Sequence, residues 1–301
     1  MSGYSVSTTK LIGAFASVYF IWGSTYLAMR YAIQTLPGFL MASTRFLISG
    51  GILFAWAWWR GARPYKDRAW REASITAFLL FLLGNGTVVL AVHWVPSGLT
   101  ALLISTTPLW VALIEWAMPG GKHPGTQLTT GILLSFLGIV LLINVEDIQV
   151  GTVDILGAGC LLLSSVSWAA GSVYTRRARL SASPLMTSAM QMLCGGGMLF
   201  AAGVLNGDFA RLNIRAVSAQ SVIAFLYLTF FGSIIAFTAY SWLLKAASPS
   251  QAITSSYVNP VVAVILGWSL AGEGITYRML WAMVTILLGV VVITSARTRT
   301  T

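Results

Sequence analysis

Charged residues are scarce in this 301-residue sequence: they make up 9% of it, and only eight residues are Asp or Glu. A soluble globular domain carries about 25% charged residues, so this chain has too few to cover a surface that faces water. Hydrophobic residues make up 57% of the chain, and the mean hydropathy is +0.81. The composition therefore predicts an integral membrane protein, in contact with the lipid bilayer along most of its length.

Cysteine and histidine are rarer still, with two of each. Cys160 and Cys194 both lie in apolar runs, where cysteine behaves as a small buried hydrophobic residue. The sequence has no His, Cys and carboxylate cluster with metal-ligand spacing, no nucleotide-binding glycine loop and no Ser-His-Asp set, so it predicts no metal, no cofactor and no enzyme activity. The net charge of +10 does not indicate nucleic-acid binding, because the basic residues lie in short loops between apolar runs.

Ten apolar runs predict an all-α membrane protein with ten transmembrane helices, since each run is near the roughly 20 residues that a membrane helix needs. The runs lie at about 11–33, 38–59, 73–93, 96–117, 126–144, 155–175, 183–204, 218–242, 249–271 and 276–295. If the N-terminus is cytoplasmic, thirteen of the eighteen Lys and Arg fall in cytoplasmic segments and three in outer loops. The excess of positive charge predicts that both termini are cytoplasmic.

The chain also repeats itself at an offset of about 146–152 residues. The matched pairs include Trp22 and Trp168, Arg30 and Arg176, Gly50 and Gly196, Gly84 and Gly232, Pro108 and Pro260, and Gly138 and Gly289. The predicted halves, 7–146 and 150–298, hold five helices each, and an odd number makes the second half cross the membrane in the opposite sense. Such inverted repeats are typical of secondary transporters, which bind substrate near the bilayer midplane where the repeats meet.

Six short motifs are spread over nearly the whole chain. They are Ile21-Trp22-Gly23-Ser24-Thr25-Tyr26, Leu36-Pro37, Thr44-Arg45-Phe46, Thr106-Thr107-Pro108-Leu109, Asn259-Pro260-Val261-Val262 and Gly272-Glu273. The set resembles the ten-helix EamA branch of the drug/metabolite transporter superfamily. One departure is Gly121-Lys122, which stands where the family often has Gly-Glu. The resemblance implies export of small metabolites, commonly amino acids, from the bacterial cytoplasm across the inner membrane.

Seven residues are candidate substrate-binding residues: Trp22, Ser24, Asn85, Ser105, Trp168, Tyr257 and Asn259. Uncharged polar and aromatic groups at membrane depth suit a zwitterion with an apolar side chain, including an aromatic amino acid. Helix packing is the alternative interpretation of the tryptophans and small residues, and of Tyr227 and Tyr240 in the eighth helix.

Gly23, Pro108 and Pro260 are candidate hinge or kink positions, because a proline inside a helix frees a carbonyl and a glycine lets the helix unwind. Hydroxyl groups beside the prolines either satisfy those carbonyls or face a ligand. Arg45, which Gln191 replaces in the second half, either pairs with a substrate carboxylate or binds helix carbonyls.

Two other functions compete with amino-acid export. Efflux of drugs or quaternary cations would use the aromatic faces that attract positive charge, although the scarcity of carboxylates inside the spans argues against it. A membrane-embedded enzyme or scaffold would need polar catalytic clusters or large loops, and neither is visible. We expect a small-molecule substrate, no nucleic-acid partner and a functional monomer.

Overall fold

The computed structural model describes residues 8–64, 68–118, 125–142, 155–178, 180–181, 183–246 and 255–298. All regular structure in these ranges is helical. Seven helices are long and apolar enough to cross a bilayer, and Thr129–Gly138, Val258–Ala271 and Tyr277–Val292 are shorter apolar helices within the described residues. The prediction of an all-α protein with ten apolar helices is thereby confirmed.

Five helices form the first repeat. They are α1, made of Thr8–Ala16, Ser17–Trp22 and Gly23–Ala32; α2, Gly38–Trp59; α3, made of Arg68–Ala77, Phe78–Asn85 and Gly86–Ala91; α4, made of Ser97–Ile104 and Thr107–Ala117; and α5, Thr126–Leu142.

Five more helices form the second repeat. They are α6, Ile155–Arg177; α7, Pro184–Leu205; α8, made of Ala219–Tyr227, Leu228–Ile235 and Ala236–Ala246; α9, Ser255–Ala271; and α10, Tyr277–Thr298. A short helix, Asp208–Arg211, and a 3₁₀ turn, Ile214–Ala216, connect α7 to α8.

The start of α3 differs from the sequence prediction. The hydropathy pattern places it at about 73, whereas the helix begins at Arg68. This first turn is amphipathic: Ala69 is buried with Ala73 in a small apolar cluster, and on the adjacent face Arg68 pairs with Glu72 one turn later. Mean hydropathy hides such a turn because its charges offset its alanines.

Corresponding helices of the two repeats pack against each other in a reciprocal manner, first at α2 and α7. A methyl group added at Gly50 would lie 3.0 Å from the backbone nitrogen of Leu193, and one added at Gly196 would lie 3.0 Å from that of Leu47. Leu47 and Gly50 match Leu193 and Gly196 at the same offset of 146. The two contacts are therefore one contact seen from each repeat, and the small residues let the backbones approach closely.

Helices α5 and α10 show the same reciprocity. A methyl group added at Gly138 would lie 2.9 Å from the backbone nitrogen of Ile286, and one added at Gly289 would lie 2.7 Å from that of Ser135. These residues match at an offset of 151. Two helix pairs related in this way are the expected result of an inverted duplication around a pseudo-two-fold axis.

Within the described residues, three helices contain a π-helical segment, in which one extra residue widens the turn. The segments are Ser17–Trp22 in α1, Phe78–Asn85 in α3 and Leu228–Ile235 in α8. Helices α3 and α8 correspond to each other in the two repeats, whereas α6, the counterpart of α1, is an uninterrupted α-helix. The repeats thus share one π segment, and the first repeat has another.

The outward faces of the helices are apolar. Phe20, Ile223 and Trp281 leave 63%, 67% and 68% of their surfaces exposed. These side chains lie on helices of both repeats, and soluble monomers rarely expose large apolar patches. Such a surface is suited to lipid.

Candidate substrate site at the repeat interface

Trp22 ends the π segment of α1 and contacts α8 of the other repeat. Its indole Nε1 donates a hydrogen bond to the carbonyl oxygen of Gly232 at 3.2 Å. Its ring packs edge-on against Phe237, with centroids 5.3 Å apart, and tilted against Tyr240 at 4.9 Å. The side chain therefore forms an aromatic wall where the two repeats meet.

Trp168 makes the corresponding contact in the opposite direction. A methyl group added at Gly84 in α3 would lie 3.2 Å from the Trp168 ring. Each tryptophan thus lies against the glycine of the third helix in the other repeat. The hydrogen bond to the glycine differs between the repeats. The carbonyl oxygen of Gly84 accepts from Ser164 Oγ at 2.7 Å, whereas that of Gly232 accepts from the Trp22 indole.

Ser24 follows the π segment of α1 and joins it to α8. Its Oγ donates to the carbonyl oxygen of Ile21 at 2.8 Å and lies 2.6 Å from the hydroxyl of Tyr227. Because the serine has one proton, the Tyr227 hydroxyl donates to Ser24. The ring of Tyr227 stacks on Phe231. The predicted unwinding at this position is a widened, hydrogen-bonded turn rather than an open helix.

Gly23 and Asn259 bring α9 against the same segment. A methyl group at Gly23 would lie 2.7 Å from Val262 Cβ. With its amide nitrogen turned toward α1, Asn259 donates to the carbonyl oxygens of Tyr19 at 3.1 Å and Ser255 at 3.2 Å. Gly23 therefore occupies a close helix contact, and Asn259 satisfies a carbonyl of the π segment.

Asn85 ends the π segment of α3, and Ser233 holds the matching position in α8. Asn85 Nδ2 donates to the carbonyl oxygen of Leu80, five residues earlier, at 3.1 Å. Ser233 Oγ donates to the carbonyl oxygen of Leu228, also five residues earlier, at 3.1 Å. Ser233 was not among the sequence candidates. The match of Gly84 with Gly232, extended by one residue, could have found it.

Ser105 and Pro108 lie at the interruption of α4. Ser105 donates to the carbonyl oxygen of Leu102 at 2.6 Å, and the next two hydroxyls, Thr106 and Thr107, also donate to carbonyls three residues earlier. Pro108 is the second residue of Thr107–Ala117, in the first turn, where its missing N–H costs no hydrogen bond. In this conformation the three hydroxyls therefore donate hydrogen bonds to carbonyl groups at the helix break.

Pro260 lies inside α9, which continues without interruption from Ser255 to Ala271. The two matched prolines therefore differ: only the one in α4 coincides with a helix break. The backbone of Tyr257 is part of α9, but its side chain is outside the described residues.

Five of the seven candidates fall into two clusters that a chain of rings connects. Trp22, Ser24 and Asn259 surround the π segment of α1, and Asn85 and Trp168 surround that of α3. Phe237, which contacts Trp22, also stacks on Phe81 of α3 at 6.0 Å. The sequence did not single out these two phenylalanines, because one apolar residue in an apolar run carries no local signal.

Arg45 is buried in α2, with 4% of its surface exposed. Its Nε donates to Ser233 Oγ of the other repeat at 2.9 Å, and its guanidinium carbon lies 4.3 Å from the centre of the Phe46 ring. The Phe46 ring is edge-on to Phe81, 4.7 Å away, so the cation adjoins the same chain of rings. Nη1 is buried without a hydrogen-bond partner.

Glu273 closes the end of the bundle where α1 ends and α4 begins. Its carboxylate pairs with Arg30 of α1. It also accepts from the backbone nitrogen and hydroxyl of Ser97, at 2.9 and 2.8 Å, and from the backbone nitrogen of Gly98 at 3.2 Å. A carboxylate at a helix N-terminus is stabilised by the helix dipole. One side chain of the second repeat thus joins two helices of the first.

Comparison with known proteins identifies this architecture. The model of the EamA-like transporter family matches the chain twice, over residues 9–144 and 155–295. The chain belongs to the EamA-like transporter family. The two matches follow the two halves of the fold, and membership makes the protein an integral membrane transporter with a small-molecule substrate.

Relatives of this EamA-like transporter are named as transporters. It is 36% identical over 286 residues to the uncharacterized inner membrane transporter YedA of Escherichia coli strain K12, covering 94% of this chain and 90% of that protein. It is 23% identical over 282 residues to the uncharacterized transporter YoaV of Bacillus subtilis strain 168, covering 93% and 95%. A crystal structure at 19% identity has a TM-score of 0.64 and covers 97% of this chain and 99% of that one, which shows a shared fold.

Proposed function

We propose that this EamA-like transporter exports amino acids, including aromatic ones, across the bacterial cytoplasmic membrane by alternating access. It functions as a monomer with both termini in the cytoplasm, and its repeats span 7–146 and 150–298. The similarity to an inner membrane transporter supports the location, and the thirteen basic residues on one side against three on the other support the orientation.

The junction between α1 and α8 carries the proposal. It combines an aromatic wall, Trp22, with a pair of hydroxyls, Ser24 and Tyr227, between the two repeats. An amino acid needs both kinds of surface, one for its side chain and one for its ammonium or carboxylate group. Transporters of this architecture bind substrate where the repeats meet.

The contacts between the repeats support alternating access. Several hydrogen bonds cross the interface between the first repeat and α8. Among the described residues they include Trp22 to Gly232, Tyr227 to Ser24, Arg45 to Ser233, Ser49 to Thr229 and Ser221 to Tyr31. Each is a single bond of modest strength, so rocking of the repeats would exchange it for contacts with substrate or water. The Glu273 cluster holds one end of the bundle closed in the present conformation.

The proposed lining consists of the seven sequence candidates, with Trp22 and Ser24 at its centre. Asn85 and Ser105 bond carbonyls of their own helices here, so they would reach substrate only after those turns rearrange. Gly23, Pro108 and Pro260 are the proposed positions for such rearrangement. Of these, Pro108 already lies at a break.

Efflux of quaternary cations is the second candidate, and the rings around Trp22 favour it. The position of the acidic side chains favours amino acids instead. Among the described residues, Glu72, Glu115, Asp208 and Glu273 all lie near helix ends or in loops. A permanent cation at the junction would therefore face Arg45 and no described carboxylate.

Transport by purified protein in liposomes tests the proposal. Vesicles are loaded in turn with each of the twenty labelled L-amino acids, and efflux is measured with and without a pH gradient. We expect efflux of a subset with apolar side chains. Efflux of ethidium together with no movement of any amino acid would replace the first candidate by the second. An efflux rate that does not change with the pH gradient would indicate facilitated export.

A further inference from the structure

Arg45 carries a buried positive charge whose described contacts are a hydroxyl, Ser233, and an aromatic ring, Phe46, and not a carboxylate. The guanidinium remains charged even when buried, and a charge inside a membrane protein is expensive unless it is paired. Its Nε is bonded to Ser233, but its buried Nη1 has no hydrogen-bond partner. The ion pairs found among the described residues are Arg30 with Glu273 and Arg68 with Glu72, so no described carboxylate neutralises Arg45.

The second repeat shows what the structural role alone requires. Gln191 stands at the matching position in α7, and its Nε2 donates to Thr76 Oγ1 at 3.1 Å and to Thr175 Oγ1 at 3.3 Å. The bond to Thr76 links α7 to α3 of the other repeat, just as Arg45 links α2 to α8, and the bond to Thr175 links α7 to α6 of its own repeat. A neutral amide therefore serves to connect the repeats. The positive charge at Arg45 needs a separate explanation.

We propose that Arg45 is the group that binds the anionic end of the substrate, a carboxylate. This proposal rests on the proposed function, and it says why the same site would require a negatively charged group on its substrate. A guanidinium presents parallel N–H groups that match the two oxygens of a carboxylate. Ser233 accepts from Nε and, by donating to Leu228, is itself fixed, so the plane of the guanidinium is set before substrate arrives.

The position of Ser233 connects this anion site to the aromatic wall. Ser233 follows Gly232, whose carbonyl oxygen accepts the Trp22 indole hydrogen bond. An amino acid with its carboxylate at Arg45 would therefore have Trp22 of α1 and Tyr240, which lies about two turns along α8 from Ser233, for its side chain. Buried as it is, Arg45 becomes accessible when α2 and α8 separate, which is the motion that alternating access requires.

Substrate analogues test the charge requirement without altering the protein. Efflux of labelled L-phenylalanine from wild-type proteoliposomes is measured in competition with L-phenylalaninamide and with unlabelled L-phenylalanine, and L-leucine with leucinamide gives a second pair. We expect the amides to compete at least tenfold more weakly than the acids. Equal competition would overturn the role of Arg45 and leave amino-acid transport intact, whereas no movement of any amino acid would overturn the proposed function.

Substitutions test the residue itself. Arg45→Gln installs the side chain that the second repeat uses, and we expect roughly a 30-fold or greater loss of amino-acid transport, because one partner of a buried charge pair is removed. Arg45→Lys keeps the charge and should keep part of the activity. Arg211→Gln, at an exposed position between α7 and α8, is the matched control and should leave transport unchanged.

An Arg45→Gln protein that elutes as a monodisperse peak and exports phenylalanine with unchanged KM and kcat would overturn the proposal. If that variant aggregates, Arg45→Lys decides the matter: a raised KM for the acid, with the amide still a weak competitor, supports the proposal. Wild-type kinetics combined with strong competition by the amide in Arg45→Lys contradicts it.

Discussion

The indole nitrogen of Trp22 lies 3.2 Å from the carbonyl oxygen of Gly232, and this hydrogen bond joins the first helix of one repeat to the third helix of the other. The matching pair, Trp168 and Gly84, is in contact but without that bond. The duplicated scaffold therefore has one polar contact and one apolar contact at equivalent places. The asymmetry is centred on the π segment of α1, which α6, the corresponding helix of the second repeat, lacks.

Replacing Trp22 by Phe should lower transport, because the ring stays while the N–H donor is lost. One hydrogen bond contributes about 1 kcal/mol, which corresponds to roughly a fivefold lower rate. Trp22→Ala should be more severe, since it also removes the contacts with Phe237 and Tyr240. Initial efflux rates in proteoliposomes measure both effects.

Trp168→Phe is the control for that substitution. No hydrogen bond of the Trp168 indole is present among the described residues, so loss of its N–H should change the rate less than in Trp22→Phe. Equal effects of the two substitutions would mean that the ring alone matters and that the bond to Gly232 has no part in transport.

Gly50→Ala and Gly196→Ala should each destabilise the protein, because each adds a methyl group to the same close contact between α2 and α7. The added methyl group would meet a neighbouring backbone nitrogen at 3.0 Å in both cases, and overpacking of this kind costs about 1–3 kcal/mol. Thermal unfolding in detergent should show a lower Tm for both variants and similar decreases, because the pair is related by the pseudo-two-fold axis.

The adjacent glycines provide the controls. Nothing lies within 4 Å of a methyl group added at Gly51 or at Gly197. Their alanine variants should have a Tm at or above that of the wild type, since alanine favours helix more than glycine does by about 1 kcal/mol. A decrease in Gly51→Ala as large as that in Gly50→Ala would contradict the helix contact described above.

Glu273→Gln should loosen the end of the bundle where α1 ends and α4 begins. The substitution removes the charge that pairs with Arg30 and that faces the N-terminus of α4. Spin labels at His93 and Tyr277, exposed positions at this end, should show longer distances by pulsed electron resonance. Glu72→Gln breaks a pair at the other end of α3 and should leave the distances unchanged. Identical distributions in wild type and Glu273→Gln would mean that the cluster does not hold this end closed.

The sequence predicted the helices well where hydropathy alone determines them. Helix α2 was expected at 38–59 and is Gly38–Trp59, and α7 was expected at 183–204 and is Pro184–Leu205. Both are uninterrupted apolar runs between prolines and polar loops. The duplication was also visible, because glycines and tryptophans at close contacts keep their spacing in both halves.

The interior of the site could not be predicted in the same way. A π turn leaves no hydropathy signal, since it depends on which carbonyls find side-chain donors such as Asn85 and Ser233. The ion pair of Arg30 with Glu273 joins residues 243 positions apart. The sequence marked Glu273 as part of a motif, but only packing of α9 against α1 and α4 supplies its partners. The sequence shows that Arg45 is a charged residue inside a span, but only the structure shows that its Nη1 has no hydrogen-bond partner.

Counterflow with purified wild-type protein tests the central claim most directly. Proteoliposomes loaded with unlabelled L-phenylalanine are diluted into a trace of labelled L-phenylalanine, and vesicles without protein provide the baseline. We expect transient accumulation of label that excess external L-phenylalanine abolishes and that Trp22→Ala reduces strongly. No accumulation with any of the twenty amino acids, from protein that does move ethidium, would contradict it.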